Sequence, residues 1–326
     1  MTPVTVLPSA ANNEYLEEFR SKSAAVEILP QLWRHRFRDV SKETIGAVRN
    51  MIRRYQPAEV HVNTLVLDAP LIAARSEGCP SVVHVRELPA QDPMLCRILG
   101  DSARGLRRRI LAQADRFIAN SPAVADWLDV PDRVTLRLNE IDDDLSGLEF
   151  SPLASLRIAL VSSNIAKKGI GDFIEIAKLV AQEEEHARIP HNTRCKFVLI
   201  GPDSADLQAL GQLPANVEKA GYAPSPVAAM EKADVVLILS KFAESFGRTA
   251  LEAMAAGRPV ICYDRGTPAS LIVSGKTGFS VPPDDLAAVT RAVLAFSCAR
   301  IGLHNISNAA RKRARELRAS GPDAAL

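Results

Sequence analysis

Short apolar runs alternate along this chain with longer amphipathic stretches. The runs in the first half are Val4–Leu7, Ala25–Leu29, Glu59–Val62, Ser81–Val85 and Arg116–Ala119, and those in the second half are Leu156–Ser162, Cys195–Ile200, Asn216–Ala220, Val235–Leu239 and Pro259–Tyr263. Such runs predict buried strands, and the stretches between them are long enough for crossover helices. The repeated alternation predicts an α/β fold with parallel sheets.

A polar stretch near the middle of the chain predicts an interdomain linker. It comprises Asn139–Asp144 and is followed by Gly147 and Pro152. We therefore expect two domains of ordinary size, residues 1–150 and residues 151–326. Beyond the helix-like stretch Leu286–Phe296 the second domain has room for only a short final helix.

Composition narrows the function classes. The formal net charge of +2 gives no support to nucleic-acid binding. The sequence shows neither an apolar run of membrane-spanning length nor the pattern of a signal peptide. The five cysteines are odd in number, widely spaced and without a CxxC pair, so we expect reduced thiols in a cytoplasmic protein and neither a disulfide nor a zinc site.

Two carboxylates surround a glycine turn in an otherwise apolar region. Glu244 follows the apolar run Val235–Ser240, and Glu252 lies in Thr249–Ala256, whose other residues are nearly all small or apolar. Burying even a neutral polar group without a partner costs about 2–7 kcal/mol, so Glu252 needs hydrogen-bond donors. The two vicinal hydroxyls of a ribose would supply them. An ordinary βαβ unit with a surface glutamate is the alternative interpretation.

Two places in the second half suit phosphate groups. Gly247 permits a tight turn, and the helix after it points its N–H groups and positive dipole end toward the same place. Lys168 and Gly169 lie where a strand ending at Ser162-Ser163 leads into a helix from about Ile170, which suits a diphosphate. A solvated lysine at 168 and a surface arginine at Arg248 are the alternatives.

The segment Lys241–Pro268 resembles the Glu-x7-Glu signature of retaining, nucleotide-sugar-dependent glycosyltransferases of the GT-B fold, in particular glycosyltransferase family 4. The spacing from Glu244 to Glu252 matches that signature, and flanking segments agree in register, namely Gly257–Ile261, Asp264–Pro268, Gly275–Phe279 and Val281–Pro283. The resemblance implies two Rossmann-like domains with parallel sheets facing across a cleft. The acceptor would bind the N-terminal domain and the nucleotide-sugar donor the C-terminal one.

The resemblance also implies a reaction, in which a hexose moves from a nucleoside diphosphate sugar to a hydroxyl with retention of configuration, in bacterial polysaccharide or glycolipid synthesis. Glu252 would hold the ribose hydroxyls, Glu244 the donor sugar's hydroxyls, and Lys168 the leaving diphosphate. The other donor-binding candidates are Ser245, Phe246, Gly247, Arg248, Thr249, Ser163 and Gly169. No metal and no cofactor besides the donor co-substrate is implied, and Asp142–Asp144 is interpreted as a cap or loop.

The loop before Gly169 departs from the family pattern. Ser162 and Ser163 stand where the family carries glycine and arginine, so Lys168 would be the main cation on the diphosphate unless Arg248 assists it.

The first half resembles the family's acceptor domain more loosely, through Pro57–Thr64 and Gly78–Leu88. Arg86 stands where many relatives carry histidine, which makes it a catalytic candidate that could bind an acceptor phosphate or position a hydroxyl. A structural ion pair with Glu87 is the alternative. His84 is interpreted as a core or solvated histidine.

The start of the chain departs from the family pattern as well. Relatives begin with a strand and a Gly-rich loop, whereas Val4–Leu7 better resembles their second strand, so we expect the first βα unit to be missing. This keeps open an alternative function, a non-catalytic nucleotide- or glycan-binding subunit that completes a partner glycosyltransferase, with a partner chain covering the gap.

The resemblance also implies a saccharide or lipid-linked acceptor. Basic clusters at Trp33–Arg38, Arg104–Arg109 and Arg311–Arg318 leave open a peripheral contact with the inner face of the membrane. The balanced charge of the whole chain favours solvated helix faces instead.

Overall fold

The structure, a computed structural model, describes residues 2–11, 13–298 and 300–319. The chain forms two compact units, Met1–Arg137 and Leu138–Leu326. The boundary lies before the predicted residue 150, because the expected linker packs into the second unit. Ile141 and Leu145 are buried in that unit's core, and the intervening turn is capped by Asp142, whose carboxylate accepts from Asp144 N at 3.0 Å.

The first unit contains two parallel sheets. One pairs β1 (Val4–Leu7) with β2 (Ala25–Ile28), and the other has the order β3 (Val60–Val62), β4 (Ser81–Val85), β5 (Arg116–Ala119), β6 (Val134–Leu136). The helices are α1 (Asn13–Lys22), α2 (Lys42–Tyr55), α3 (Ala69–Ser76), α4 (Pro93–Leu99), α5 (Ala103–Gln113) and α6 (Pro122–Leu128). The core of the four-stranded sheet is formed by residues such as Leu71, Val83, Leu106 and Phe117.

The second unit is built on one six-stranded parallel sheet of order β12-β11-β10-β7-β8-β9. Its strands are β7 (Arg157–Val161), β8 (Lys196–Ile200), β9 (Val217–Gly221), β10 (Val235–Ile238), β11 (Val260–Tyr263) and β12 (Gly278–Val281). The helices are α7 (Ile170–His186), α8 (Ala205–Ala209), α9 (Pro226–Met230), α10 (Arg248–Ala255), α11 (Thr267–Leu271), α12 (Leu286–Cys298) and α13 (Arg300–Ala319).

The central strands of this sheet are buried on both faces. Val235 and Leu237 contribute to one apolar cluster, while Val236 and Ile238 contribute to the other. A strand covered on both faces has no polar side, which is why β10 is a continuous apolar run in the sequence.

The final helix is longer than predicted. α13 spans 20 residues, so the expectation of a short final helix is wrong. Its buried positions are Leu303, Ala310, Ala314 and Leu317. Ser307 adds a buried hydrogen bond from its hydroxyl to Gly257 O at 2.6 Å. Because several of these buried positions are alanine or serine, the buried face of α13 is only weakly apolar. Its helical period is therefore hard to recognise in the sequence.

Within the described ranges no single helix is long and apolar enough to cross a membrane. The helical segments Leu286–Ser297 and Gly302–Arg318 have the length and apolar composition of a membrane span only when taken as a pair, and the two are sharply bent relative to each other.

Candidate functional site

In the sheet of the second unit, the order in which strands are added reverses between β7 and β10. The chain adds β8 and β9 on one side of β7, then returns to add β10, β11 and β12 on the other. At such a switch point the loops leaving the carboxyl ends of the two strands diverge and open a crevice, where ligands of open α/β sheets bind. The loops that border this crevice carry Ser163, Lys168 and Glu244.

Lys168 and Glu244 meet at this crevice. Lys168 Nζ donates to Glu244 Oε1 at 2.7 Å, and the Ser240 hydroxyl bonds to the same oxygen. The side chains keep 29% and 15% of their surface exposed, so both remain accessible to a ligand.

A close backbone approach brings Lys168 to this position. Gly169 has φ +80°, and a Cβ at this residue would lie 2.1 Å from Leu239 O. Lys241 N also donates to Lys167 O at 2.9 Å, which ties the loop after β10 to the loop after β7. Only glycine allows both the left-handed backbone and this contact.

Glu252 lies on α10 with 7% of its surface exposed. Arg248 Nε donates to Glu252 Oε1 at 2.7 Å across one helical turn. Burial raises the pKa of Glu252, and the Arg248 charge partly opposes this shift. Glu252 therefore has a hydrogen-bond donor, as its burial requires. That donor is Arg248, which the sequence analysis gave as a second candidate cation for the diphosphate.

The turn between the two glutamates is packed against the start of α11. Gly247 has φ +73°, and a Cβ there would lie 2.8 Å from Pro268 Cγ. Thr267 N donates to Glu244 O at 3.0 Å, and the Thr267 hydroxyl donates to Ser245 O at 2.9 Å. Ser245 and Phe246 are buried, Thr249 is half-buried, and Ser163 is exposed at the end of β7. The turn is therefore held by the two hydrogen bonds from Thr267 and by the close contact of Gly247 with Pro268.

Sequence reasoning missed an ionic network that anchors this turn. Lys241 donates to both Asp172 and Asp284, the latter at 2.9 Å. Arg265 donates to Asp284 at 2.9 Å and to Ser240 O at 3.1 Å, and the Tyr263 hydroxyl donates to Asp172. Burial raises the pKa of Tyr263. These groups are far apart in sequence, so no local motif reveals them.

Arg86 belongs to the first unit, at the carboxyl end of β4. Its side chain is exposed, and its backbone N–H donates to Glu87 Oε2 at 3.1 Å. Glu87 also accepts hydrogen bonds from Thr64 and from Leu65 N, and burial raises the pKa of Glu87.

His84 is partly buried and bonded to a second histidine. His84 Nε2 lies 2.9 Å from His61 Nδ1, whose other ring nitrogen lies 2.6 Å from Glu59 Oε1. Burial lowers the pKa of His84 to about 4.

Among the residues that the structure describes, no group of three or more His, Cys, Asp and Glu side chains is arranged to hold a metal ion.

Residues 152–313 match the family "Glycosyl transferases group 1", and residues 3–136 match the "Glycosyl transferase 4-like domain". The chain belongs to the group 1 glycosyl transferases, and its fold is GT-B.

Related sequences match over part of their length. The lipopolysaccharide core biosynthesis mannosyltransferase LpsB of Rhizobium meliloti (strain 1021) is 27% identical over 207 residues, which is 59% of this chain and 58% of the relative. The lipopolysaccharide core biosynthesis mannosyltransferase LpcC of Rhizobium leguminosarum bv. viciae is 32% identical over 117 residues, which is 33% of this chain and 33% of the relative. The chain thus spans little more than half of the first of these curated relatives.

Solved structures show the same fold. Anabaena HepE, crystallised with UDP-glucose, superposes with a TM-score of 0.73 at 18% identity, covering 96% of this chain and 86% of HepE. The sucrose-phosphate synthase of Thermosynechococcus elongatus gives a TM-score of 0.67 at 17% identity, covering 97% of this chain and 95% of the synthase.

Proposed function

We propose that this protein transfers a hexose from a nucleoside diphosphate sugar to a hydroxyl of a saccharide or lipid-linked acceptor, with retention of configuration, in the synthesis of a bacterial polysaccharide or lipopolysaccharide. The observation that carries the proposal is a pair of cation–carboxylate contacts, both at 2.7 Å. Lys168–Glu244 joins the two loops of the switch point, and Arg248–Glu252 lies on α10, the helix that follows one of these loops. The family match and the mannosyltransferase relatives support it.

In the donor complex each contact would open to receive part of the ligand. The ribose hydroxyls would donate to Glu252, which is buried enough for a hydrogen bond to an ionised group to contribute about 1.5–3 kcal/mol. The donor sugar's hydroxyls would bind Glu244. Lys168 and Arg248 would then turn toward the diphosphate, and the N-terminus of α10 would add its N–H groups.

The reaction would break the bond between the sugar's anomeric carbon and the diphosphate oxygen. The electron pair leaves with the diphosphate, the acceptor oxygen bonds to the anomeric carbon, and the acceptor's proton is released. Lys168 would stabilise the negative charge that develops on the leaving group, which is the role that a metal ion plays in other transferases. We propose that these cations make a metal unnecessary here. Arg86 is the candidate group for binding an acceptor phosphate or orienting the acceptor hydroxyl.

Transfer and donor binding can be tested together. A panel of UDP- and GDP-sugars is screened for thermal stabilisation of the full chain, where a donor at about 100 times its dissociation constant adds about 2.7 kcal/mol. The stabilising donor is then incubated with candidate acceptors, and the product's anomeric configuration is determined by NMR.

We expect stabilisation by one nucleotide class and a product with the donor's configuration. An inverted product would contradict the retaining mechanism. Nucleotide binding without transfer to any acceptor would favour the non-catalytic subunit.

A further inference from the structure

Three side chains that line one cavity of the first unit carry buried polar atoms without a hydrogen-bond partner among the described residues. These atoms are Gln31 Oε1, Arg34 Nε and Nη1, and Asp68 Oδ1. The Arg34 and Asp68 side chains keep 0% and 5% of their surface exposed. Leaving a buried donor or acceptor unpaired costs stability, so each of these groups calls for a physical explanation.

The fold satisfies Arg34 and Asp68 only in part. Arg34 Nη2 donates to Leu67 O at 3.2 Å and lies 3.2 Å from Asp68 Oδ1, but the other two guanidinium nitrogens are left over. Asp68 immediately precedes α3, yet its carboxylate makes no capping hydrogen bond to that helix. Burial lowers the pKa of Arg34 to about 10, and the Asp68 charge opposes only part of this shift.

The cavity that these side chains line has a volume of about 140 Å³. A cavity of about 150 Å³ accommodates a single six-membered ring. Other parts of its wall are apolar and come from Pro30, Trp33 and Val40. Apolar walls with a few polar groups that fix orientation are typical of small-molecule sites.

The unpaired atoms include both donors and acceptors, which distinguishes between classes of ligand. An anion would suit Arg34, but the Asp68 carboxylate would repel it and Gln31 Oε1 would stay unpaired. A cation would suit Asp68, but Arg34 would repel it. A hydroxyl group donates one hydrogen bond and accepts others. Adjacent hydroxyls on one ring could therefore accept from Arg34 while they donate to Asp68 and Gln31.

We propose that this cavity binds a sugar residue through adjacent hydroxyls, with the apolar faces of the sugar ring against Pro30 and Trp33. A free monosaccharide and the end of a glycan offer the same hydroxyls. Because the unpaired atoms are closed off from solvent, the sugar would enter as the exposed turn Leu32–Asp39, which lines the cavity, shifts outward. The inference stands on contacts within the first unit and not on the transfer reaction, whose acceptor candidate Arg86 does not line this cavity.

Trp33 lies in the cavity wall and can report binding. The chain has two tryptophans, Trp33 and Trp127, so in a Trp127→Phe variant the tryptophan emission comes from Trp33 alone. This emission is recorded while D-mannose, D-glucose or their methyl glycosides are added without nucleotide, and inorganic phosphate is added in a parallel titration. A Trp33→Phe variant controls for general effects of sugar on fluorescence, since Trp127 packs in part against the core of the first unit.

We expect a saturable change of the Trp33 emission with at least one hexose, none with phosphate, and none in Trp33→Phe. Binding of the methyl glycoside as well would identify the end of a glycan as the ligand, and binding of the free hexose alone would identify a monosaccharide.

Matched variants in the Trp127→Phe background test the site itself. Gln31→Leu should weaken sugar binding about 3- to 10-fold. Gln113→Leu removes another buried, unpartnered amide oxygen of the first unit, outside this cavity, and should leave sugar affinity unchanged. Arg34→Met combined with Asp68→Leu removes both charges at once, which avoids a lone buried charge, and should weaken binding at least about 100-fold. If the double variant fails to fold, the comparison of Gln31→Leu with Gln113→Leu decides.

The absence of a saturable signal with every sugar would overturn the proposal. Phosphate binding that is lost in the double variant would also overturn it and define an anion site. Equal effects of Gln31→Leu and Gln113→Leu would show that the sugar binds elsewhere. Nucleotide affinity of Gln31→Leu should equal that of the parent, which separates this test from that of the proposed function.

Discussion

Lys168 Nζ lies 2.7 Å from Glu244 Oε1, although 76 positions separate the two residues in the sequence. The contact joins the loop after β7 to the loop after β10. These loops lie at the switch point, where the strand order of the sheet reverses. The contact holds the cation beside the carboxylate, so under the proposed function the diphosphate would meet a positioned charge rather than a mobile one.

Replacing Lys168 with alanine should therefore reduce turnover about 100-fold or more, because Ser163 stands at the family's arginine position and the neighbouring Lys167 packs its Nζ over the Phe242 ring, 3.9 Å from the centroid. Lys178→Ala is the matched control, since Lys178 on α7 pairs with Glu175 at an exposed site. The turnover of both variants is measured from initial rates with the donor identified in the thermal-stabilisation screen. If Lys168→Ala kept nearly the turnover of the parent, Arg248 and not Lys168 would be the cation that stabilises the leaving diphosphate.

Two glycines at the start of α7 should respond differently to alanine. Gly169→Ala places a Cβ 2.1 Å from Leu239 O at φ +80° and should cost at least about 2 kcal/mol of unfolding free energy, while also displacing Lys168. A Cβ at Gly171 would meet no atom beyond its own helix within 4 Å, so Gly171→Ala should be neutral or stabilising by at most about 1 kcal/mol. Urea unfolding measures both, and equal effects would contradict the packing described for Gly169.

Much of this architecture follows from the sequence because burial leaves a strong pattern there. Val235–Ile238 is apolar throughout since both faces are covered, and the spacing from Glu244 to Glu252 predicts the candidate site. The sequence does not reveal β6 and β12, because these strands are short and partly exposed, and β12 begins at a glycine.

Partners of the charged groups are harder to predict. The Arg248–Glu252 pair has the four-residue spacing of a helical ion pair and could have been inferred. Contacts such as Lys168–Glu244 and Lys241–Asp284 depend on which strands are neighbours, which local sequence does not encode.

Burial of Glu252 should make stability depend on pH. Its pKa is raised above the ordinary 4.5, so the folded state binds the proton more tightly than the unfolded chain. That contribution is fully present below pH 4.5 and is lost as pH rises through the raised pKa. Glu252→Gln stays neutral, so its stability relative to the parent should be higher at about pH 7 than at about pH 4.5.

Chemical unfolding of parent and variant at both pH values measures this difference. Arg248 opposes part of the pKa shift, but its side chain is 58% exposed and the ion pair is screened by solvent, so the net shift of the Glu252 pKa is upward. A stability difference that does not change with pH would mean that the Glu252 carboxyl is solvated in the folded protein.

Calorimetry of nucleotide binding to Glu252→Gln tests the central claim most directly. UDP and GDP are titrated into the parent, into Glu252→Gln and into a control, Glu184→Gln. Glu184 is also buried in the second unit, where it accepts a hydrogen bond from Cys195 N at 2.9 Å. The account predicts that Glu252→Gln weakens the affinity of the preferred nucleotide about 10- to 100-fold, through loss of charge-assisted bonds to the ribose, while Glu184→Gln lowers stability and leaves affinity unchanged. Unchanged affinity in a folded Glu252→Gln would remove Glu252 from the site and contradict the account.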